Sequence, residues 1–496
     1  MTGSMPPRDN PRPLQFVLDG EVVSIPDPEP TMTVLQYLRD VAGRCGTKEG
    51  CEEGDCGACT VVLGERAADG NIHYSAVNSC IRFLPTLHGR ELVTVEDLAG
   101  PDGPPHPVQQ AMIDQHASQC GFCTPGFVMS LFGLYLNNPA PDRDAVLDAL
   151  SGNLCRCTGY RPIIDAGLAM QAYAQPVRWS RADAQSADRR AQLEAIAAAP
   201  PQVPGYCAPR TVEELAARFI AAPDSLLLAG GTDIGLWVTQ QLRQLPPLIW
   251  LGDVVELRQV RDDANGLTIG AAVTLSEAWP ALLHHFPELA EQARRFASTP
   301  IRNSATLCGN LANGSPIGDG LPALLALDAV LALRRGDAAR DLPLSEFYLD
   351  YRRTALARGE FITAVHVPPR HADDRVASYK IARRHDQDIS AVSATFRVRV
   401  TQGRVVEARL AYGGMAGIAK RAAAAERALT GQPWTLAGIA AAQAALATDF
   451  QPMTDLRATG EYRLAVAAAL LERFCRESSG EAVTLPATPV VVENAR

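Results

Sequence analysis

Short apolar runs at residues 14–18 and 22–25 flank Asp19-Gly20, a pair suited to the positive φ of a two-residue hairpin turn. The pattern predicts a small sheet at the start of the chain. Thr33 then precedes Val34, Leu35 and Leu38, the cap and apolar spacing of one short helix lying on that sheet. A loop rich in glycine and cysteine follows and breaks all periodicity. From 107 to 173 the period becomes helical, with segments at 108–116, 125–137, 143–151 and 162–173 separated by cysteine pairs or proline breaks. Residues 176–209 are rich in Arg, Asp, Ala and Pro, show no sustained apolar face and read as a linker. Beyond about residue 211 strands and helices alternate. Strands are predicted at 226–228, 248–251 and 267–270, a hairpin at 395–400 and 405–412 around Gln402-Gly403, and three Ala/Leu-rich helices after Met415. No fixed-period repeat is visible.

The 496 residues leave room for about three domains. With 46 Lys+Arg against 55 Asp+Glu, the formal charge of −9 lacks the basic excess that nucleic-acid binding draws on. The longest apolar run, 464–471, falls far short of the roughly 20 residues that span a bilayer. Arg8 and Arg12 are followed by no apolar stretch of a secretory signal. The expected setting is the cytoplasm, with neither nucleic acid nor membrane as a partner. Thiols there stay reduced. Nine of the twelve cysteines lie before residue 160, which points to metal or cluster ligation at one end of the chain.

Cys51, Cys56 and Cys59 form a C-x4-C-x2-C run with Cys80 further on, the plant-type arrangement for a [2Fe–2S] cluster. Three thiolates from one loop must wrap a rigid group, and Gly50, Gly54 and Gly57 permit the backbone that this requires. Zinc or unligated buried thiols are the alternatives. Cys45 falls outside the pattern. Cys120-x2-Cys123 and Cys155-x-Cys157 form a second set, which by spacing alone suits either another cluster or tetrahedral zinc. The neighbouring cluster loop favours electron transfer. Cys207, Cys308 and Cys475 are isolated and read as small buried hydrophobes. Farther on, Gly230-Gly231-Thr232-Asp233 follows a strand and precedes a helix, so its amides can face a diphosphate, although it lacks the GxGxxG spacing. A run of small and hydrogen-bonding residues at 306–316 allows close backbone approach to the same kind of group, and Asp319 could hold a ribose or another polar part of it.

GCEEGDCGACTV, SQCGFCTPG and GNLCRCTGYRPI together resemble the two-cluster region of the molybdenum hydroxylases, the xanthine dehydrogenase/aldehyde oxidase family. LLLAGGTDIG, STPIRNSATLCGNLANGSPIGDG, YKIARRHDQDISAV and AYGGMA resemble the flavin domain of the same family. The resemblance implies a multidomain α+β chain. A β-grasp plant-type ferredoxin domain would occupy 12–96, a helical-bundle [2Fe–2S] domain 97–176 and a linker 177–206. A two-part α+β FAD-binding domain would occupy 207–372, with a C-terminal α/β subdomain at 376–486.

It further implies cluster ligation by the eight cysteines 51, 56, 59, 80, 120, 123, 155 and 157. FAD contacts are implied at Leu227, Leu228, Ala229, Gly230, Gly231, Thr232, Asp233 and Ile234, and at Thr306, Gly309, Asn310, Asn313, Ser315 and Asp319. Phe296 would lie near the isoalloxazine, and Lys380 on the flavin or adenine side. Cys308 stands where many relatives have the first glycine of a GGN triplet, so a bulkier loop is expected to clear the cofactor. Arg383-Arg384-His385-Asp386-Gln387-Asp388 reads either as a solvated charged loop or as a loop facing NAD+. The function implied is that of the electron-transfer subunit of a molybdenum-dependent xanthine dehydrogenase, taking hypoxanthine to xanthine and xanthine to urate. Electrons would pass from molybdenum-molybdopterin on a large partner subunit to the second cysteine set, then the first, then FAD and NAD+, in a heterotetramer with two copies of each chain. The same role in a molybdenum hydroxylase for another N-heterocycle or aldehyde is the alternative.

Overall fold

The computed structural model describes residues 12–67, 69–99, 103–385 and 387–481. The N-terminal residues 1–11 read for a targeting signal, Asp386 of the charged loop and residues 482–486 of the last expected domain lie outside the described residues.

Strands β1 (Leu14–Leu18) and β2 (Glu21–Ile25) pair antiparallel, and Asp19 and Gly20 take φ of 57° and 81° at the predicted turn. Thr33 caps α1 (Val34–Gln36), which runs on as a π-turn over Tyr37–Val41. With β3 (Thr60–Arg66), β4 (Ile72–Asn78) and β5 (Glu91–Val93) the sheet order is β2-β1-β5-β3-β4, and only β1 and β5 run parallel. One face closes over Leu14, Phe16, Leu38, Val61 and Leu63. The other face takes the helical unit of α2 (Pro107–Asp114), α3 (Thr124–Asn137), α4 (Arg143–Ala149) and α5 (Arg161–Ala169). Helix α3 is apolar nearly all round because it packs against β3 and β4 on one side and other helices on the other.

The stretch expected to be a linker joins the halves of the molecule but is packed rather than free. It forms α6 (Arg181–Ala184) and α7 (Ala187–Ala197), with Trp179, Ala184, Leu193 and Ile196 buried in the shared core. Arg189 lies 4.0 Å over the Trp179 ring and pairs with Glu91. Four inward residues spread over two helices and a break leave no periodic run, so the pattern hides the packing.

The flavin-type half begins with a parallel sheet of β6 (Tyr206–Cys207), β7 (Leu226–Leu228) and β8 (Leu248–Trp250) in the order β6-β8-β7, with α8 (Val212–Ala221) and α9 (Ile234–Thr239) following β6 and β7. Next come β9 (Val260–Asp263), β10 (Gly266–Gly270) and the helices α10 (Leu275–His285), α11 (Ala290–Arg295), α12 (Thr299–Arg302), α13 (Leu307–Asn313) and α14 (Gly320–Ala326). Strands β11 (Val330–Arg335) and β12 (Ala338–Pro343), the small hairpin β13 (Tyr348–Asp350) and β14 (Arg353–Thr354), and β15 (Phe361–Val367) complete this part. Its antiparallel sheet runs β12-β11-β15-β10-β9. The C-terminal part is the antiparallel sheet β16 (Asp374–Ile381), β17 (Val392–Thr401), β18 (Arg404–Gly413) and β19 (Lys420–Arg421). It is covered by α15 (Ala423–Leu429), α16 (Leu436–Asp449) and α17 (Gly460–Ser478). Among the described residues no helix is long and apolar enough to cross a membrane.

His106 caps α2 by accepting the Val108 N–H at 3.3 Å, and it is buried edge-on against Phe132 and Tyr135. Burial pushes its pKa down to about 4, and the Trp179 backbone nearby only partly favours the cation. Because the folded pKa lies below the ordinary value of about 6.5, this stability is present above that value and is lost as pH falls. Between pH 7.5 and 5.5 hydrogen exchange in α2 and α3 should report about 1 kcal/mol of lost local stability in the wild type. His106→Asn, which retains a capping acceptor, should flatten that dependence; equal slopes in the two proteins would contradict it.

Candidate functional site

Cys51, Cys56 and Cys59 lie on the loop entering β3, and Cys80 follows the end of β4. Their sulfurs face one another, Cys51 beside Cys56 and Cys80, and Cys59 beside Cys80. The Cys56 N–H points at Cys51 Sγ at 3.3 Å. Gly54 and Gly57 take φ of 79° and 69°, and a Cβ on Gly50 would stand 2.9 Å from Cys56 Sγ. All twelve cysteines are unpaired, and Cys45 is exposed outside the set. Four sulfur donors converging in a glycine-built loop fit a thiolate-held cluster.

Cys120 and Cys123 precede α3, and Cys155 and Cys157 precede α5. Cys120 meets Cys157, and Cys123 meets Cys155. All four line one cavity of about 440 Å³ with Phe122, Leu154, Arg156 and Tyr160. Tyr160, at φ 68°, accepts the Cys155 N–H on its hydroxyl at 3.0 Å. By donor type the set suits a cluster or zinc, but among the described residues no three His, Cys, Asp or Glu side chains are placed to hold a single metal ion.

The two loops touch. Leu154 N–H donates to Cys56 O at 3.0 Å, and Asn153 Nδ2 donates to Gly57 O at 3.0 Å and Thr60 Oγ1 at 3.2 Å. Ser130 Oγ donates to Asn153 Oδ1 at 2.6 Å. A Cβ on Gly57 would collide with Gly152 O, and one on Gly126 with Gly57 O. On its other side the first loop abuts the flavin-type half. Thr239 Oγ1 donates to Glu52 O at 2.6 Å and Gln240 Nε2 to Cys51 O at 2.9 Å, while Ile301 packs with Cys59, Cys80 and Ile81.

Ile301 also lines a large cavity of about 650 Å³ between the loop after β7 and the N-terminal end of α13. Of the expected FAD residues, Leu227, Ala229, Gly230, Gly231, Thr232, Asp233, Ile234, Phe296, Thr306, Gly309, Asn310 and Asn313 form its walls. A Cβ on Gly230 would collide with Ser304 O, so only glycine lets the two loops meet there. Asn310 Oδ1 is buried without a partner among the described residues. Burial pushes the Asp233 carboxyl up and Arg352 draws it part of the way back. Three guanidinium groups, Arg243, Arg352 and Arg353, face two carboxylates, Asp233 and Asp350, a balance that suits an anionic group. Size, glycine cradle and charge all fit a dinucleotide.

Some expected residues lie elsewhere. Leu228 is buried on the opposite side of its strand, and Ser315 belongs to the turn after α13. Asp319 and Lys380 form a buried ion pair at 2.5 Å that shares Ser390, away from the cavity walls, because neither charge could be desolvated alone. Cys308 points into the apolar core and leaves the cavity clear, so the bulkier loop expected from sequence does not crowd it. Arg243, Arg352, Arg353, Trp237 and Tyr348 were not singled out in the sequence; the adjacent Arg352-Arg353 pair was the available signal.

Comparison with known proteins gives four domain matches. Residues 16–82 match a 2Fe-2S iron-sulfur cluster binding domain and 94–168 a [2Fe-2S] binding domain. Residues 199–370 match the FAD binding domain in molybdopterin dehydrogenase, and 377–478 the CO dehydrogenase flavoprotein C-terminal domain. The chain is 32% identical over 485 residues to xanthine dehydrogenase of Emericella nidulans, covering 85% of this chain and 35% of that one. It is 31% identical to xanthine dehydrogenase/oxidase of Gallus gallus, covering 87% and 37%. Against the structure of carbon monoxide dehydrogenase from Hydrogenophaga pseudoflava the TM-score is 0.51 at 30% identity, covering 54% of this chain and 94% of that one. The chain belongs to the xanthine dehydrogenase/molybdenum hydroxylase family.

Within that family it carries the two iron–sulfur domains, the FAD-binding domain and the C-terminal flavoprotein domain in one polypeptide. It spans about a third of the length of the curated relatives it matches. Asn153→Ala should remove two hydrogen bonds across the seam between the two iron–sulfur domains and a third, from Ser130, within the helical one, and cost about 2–3 kcal/mol of stability. Chemical unfolding followed by far-UV circular dichroism checks this; an unchanged midpoint would show that the bridge contributes nothing.

Proposed function

We propose that this chain is the electron-transfer subunit of a molybdenum-dependent xanthine dehydrogenase that takes hypoxanthine to xanthine and xanthine to urate. The observation that carries the reading is the continuous chain of contact from one cysteine set to the other and on to the large cavity, in a sequence similar to xanthine dehydrogenases over most of its length. Cys51, Cys56, Cys59 and Cys80 would hold one [2Fe–2S] cluster, and Cys120, Cys123, Cys155 and Cys157 the other. Leu227, the run from Ala229 to Ile234, Phe296 and the cavity-facing residues of 306–313 would hold FAD. Bound there, the clusters supply one-electron transfer and the flavin converts it to the two-electron reduction of NAD+.

The chain's own part is to fix the spacing of the two thiolate loops, to shield Cys59 and Cys80 from water and to offer cations to the dinucleotide. Substrate hydroxylation, with the molybdenum-molybdopterin group, would belong to a large partner subunit, in an assembly with two copies of each chain. The setting would be the cytoplasm, where thiols stay reduced. A second reading, the same role for another N-heterocycle or aldehyde, is favoured by similarity to quinoline 2-oxidoreductase of Pseudomonas putida 86. That structure gives a TM-score of 0.50 at 26% identity, covering 55% of this chain and 96% of that one.

Material purified from the native host with its partner should reduce NAD+ in the presence of xanthine, with about four irons and one FAD per copy of this chain. Cys120→Ser or Cys155→Ser should abolish xanthine-to-NAD+ turnover and one of two iron–sulfur signals in electron paramagnetic resonance. Full activity with both signals intact in either variant would refute the assignment, and cofactors without xanthine turnover would transfer it to the second reading.

A further inference from the structure

Behind the Gly230-Gly231 turn lies a second, much smaller chamber, with room for about one water. Its walls are Arg82, Phe83, Thr86, Leu228, Gly230, Gly231 and Trp250. The two glycines therefore form a partition one backbone thick, with the large cavity on one side and a buried guanidinium on the other. Arg82 is only 9% exposed, and its Nε has no partner among the described residues. The chain there is fixed from behind, since Val34 N–H donates to Arg82 O at 2.9 Å, and the guanidinium lies 5.8 Å from the Trp250 ring centre.

The charges around Arg82 do not cancel. Arg90 pairs with Glu65 and with Asp253 at 3.0 Å, Arg258 lies 3.7 Å from Glu65, and Arg82 reaches Glu65 only at 4.0 Å. Three guanidinium groups against two carboxylates leave one positive charge, and the group last served is Arg82. A guanidinium cannot shed its proton at physiological pH, and a charge largely withdrawn from water is weakly screened.

We infer that Arg82 is a positioning residue for an anionic diphosphate held by the Gly230-Gly231 turn, acting through the backbone without touching the ligand. This rests on the reading of the large cavity as the FAD site. The glycines serve the device twice, since they let the loops close and keep side chains from thickening the partition.

The test uses full-length protein stripped of flavin and three probes: FAD and ADP, which carry a diphosphate, and riboflavin, which does not. Arg82→Met should weaken FAD and ADP binding by about tenfold each while leaving riboflavin unchanged, and Arg82→Lys should restore most of the loss. Iron content and circular dichroism confirm that each variant is folded; if Arg82→Met is not, Arg82→Gln makes the same comparison. Equal weakening of all three probes would show a merely structural role, and unchanged FAD and ADP affinities would show no role; either result overturns the inference. Absence of FAD from the protein as purified, with no binding by the stripped wild type, would instead overturn the reading of the cavity.

Discussion

The turn at residues 148–154 must satisfy four neighbours at once, and most of the tertiary arrangement follows from that. Leu154 and Asn153 bind the first cysteine loop through Cys56 O and Gly57 O. Asp148 O accepts from Thr299, and its carboxylate pairs with Arg302 of the flavin-type half. Ser151 O accepts from Gln387 of the C-terminal part, and residue 155 starts the second cysteine pair. A side chain at position 152 would press on Pro300 Cδ at 2.7 Å, so glycine there sets how closely the halves approach. Backbone groups buried at such a junction must all find partners, which leaves few alternative placements for either loop.

Charge organises the remaining contacts. Asp328 at the end of α14 receives Arg397, Arg409 and Arg421 from three strands of the C-terminal sheet, and Asp374 and Glu407 complete the network. The Asp319–Lys380 pair spans the same boundary, with Gln292 tied to Asp319 O and Ser393. Such pairs recover little more than their own desolvation cost, but a misdocked subdomain would leave them buried and unpaired. They make the relative placement of the two flavin-type sheets specific rather than merely stable. The packed segment 177–206 does the corresponding work for the iron–sulfur units, where Trp179 fills the corner between Tyr74 and Phe132 and donates its indole N–H to Asp97 O at 3.1 Å.

Much of this was legible beforehand. The hairpin at Asp19-Gly20, the cap at Thr33, the helices of 107–173 and the long hairpin at Gln402-Gly403 are local events, written in turn residues and short-range periodicity. Both cysteine sets converge as their spacing implied, because each is assembled from short loops at the ends of regular elements. Twelve of the expected flavin residues share one cavity for the same reason, since each loop follows directly on a strand or opens a helix.

By itself, then, the sequence determined those local elements, the two sulfur sets and the glycine loops of the cavity, all matters of neighbours within a few residues. Only the tertiary structure decided which charges meet. Arg352 and Arg353 reach the cavity from a hairpin more than a hundred residues beyond the glycine turn, Asp319 and Lys380 turn to each other instead, and Arg82 comes to rest behind Gly230 from another domain. No local pattern records such meetings, because a long polar side chain is indifferent to its own helix or strand. Its position is set by the partner that burial obliges it to find.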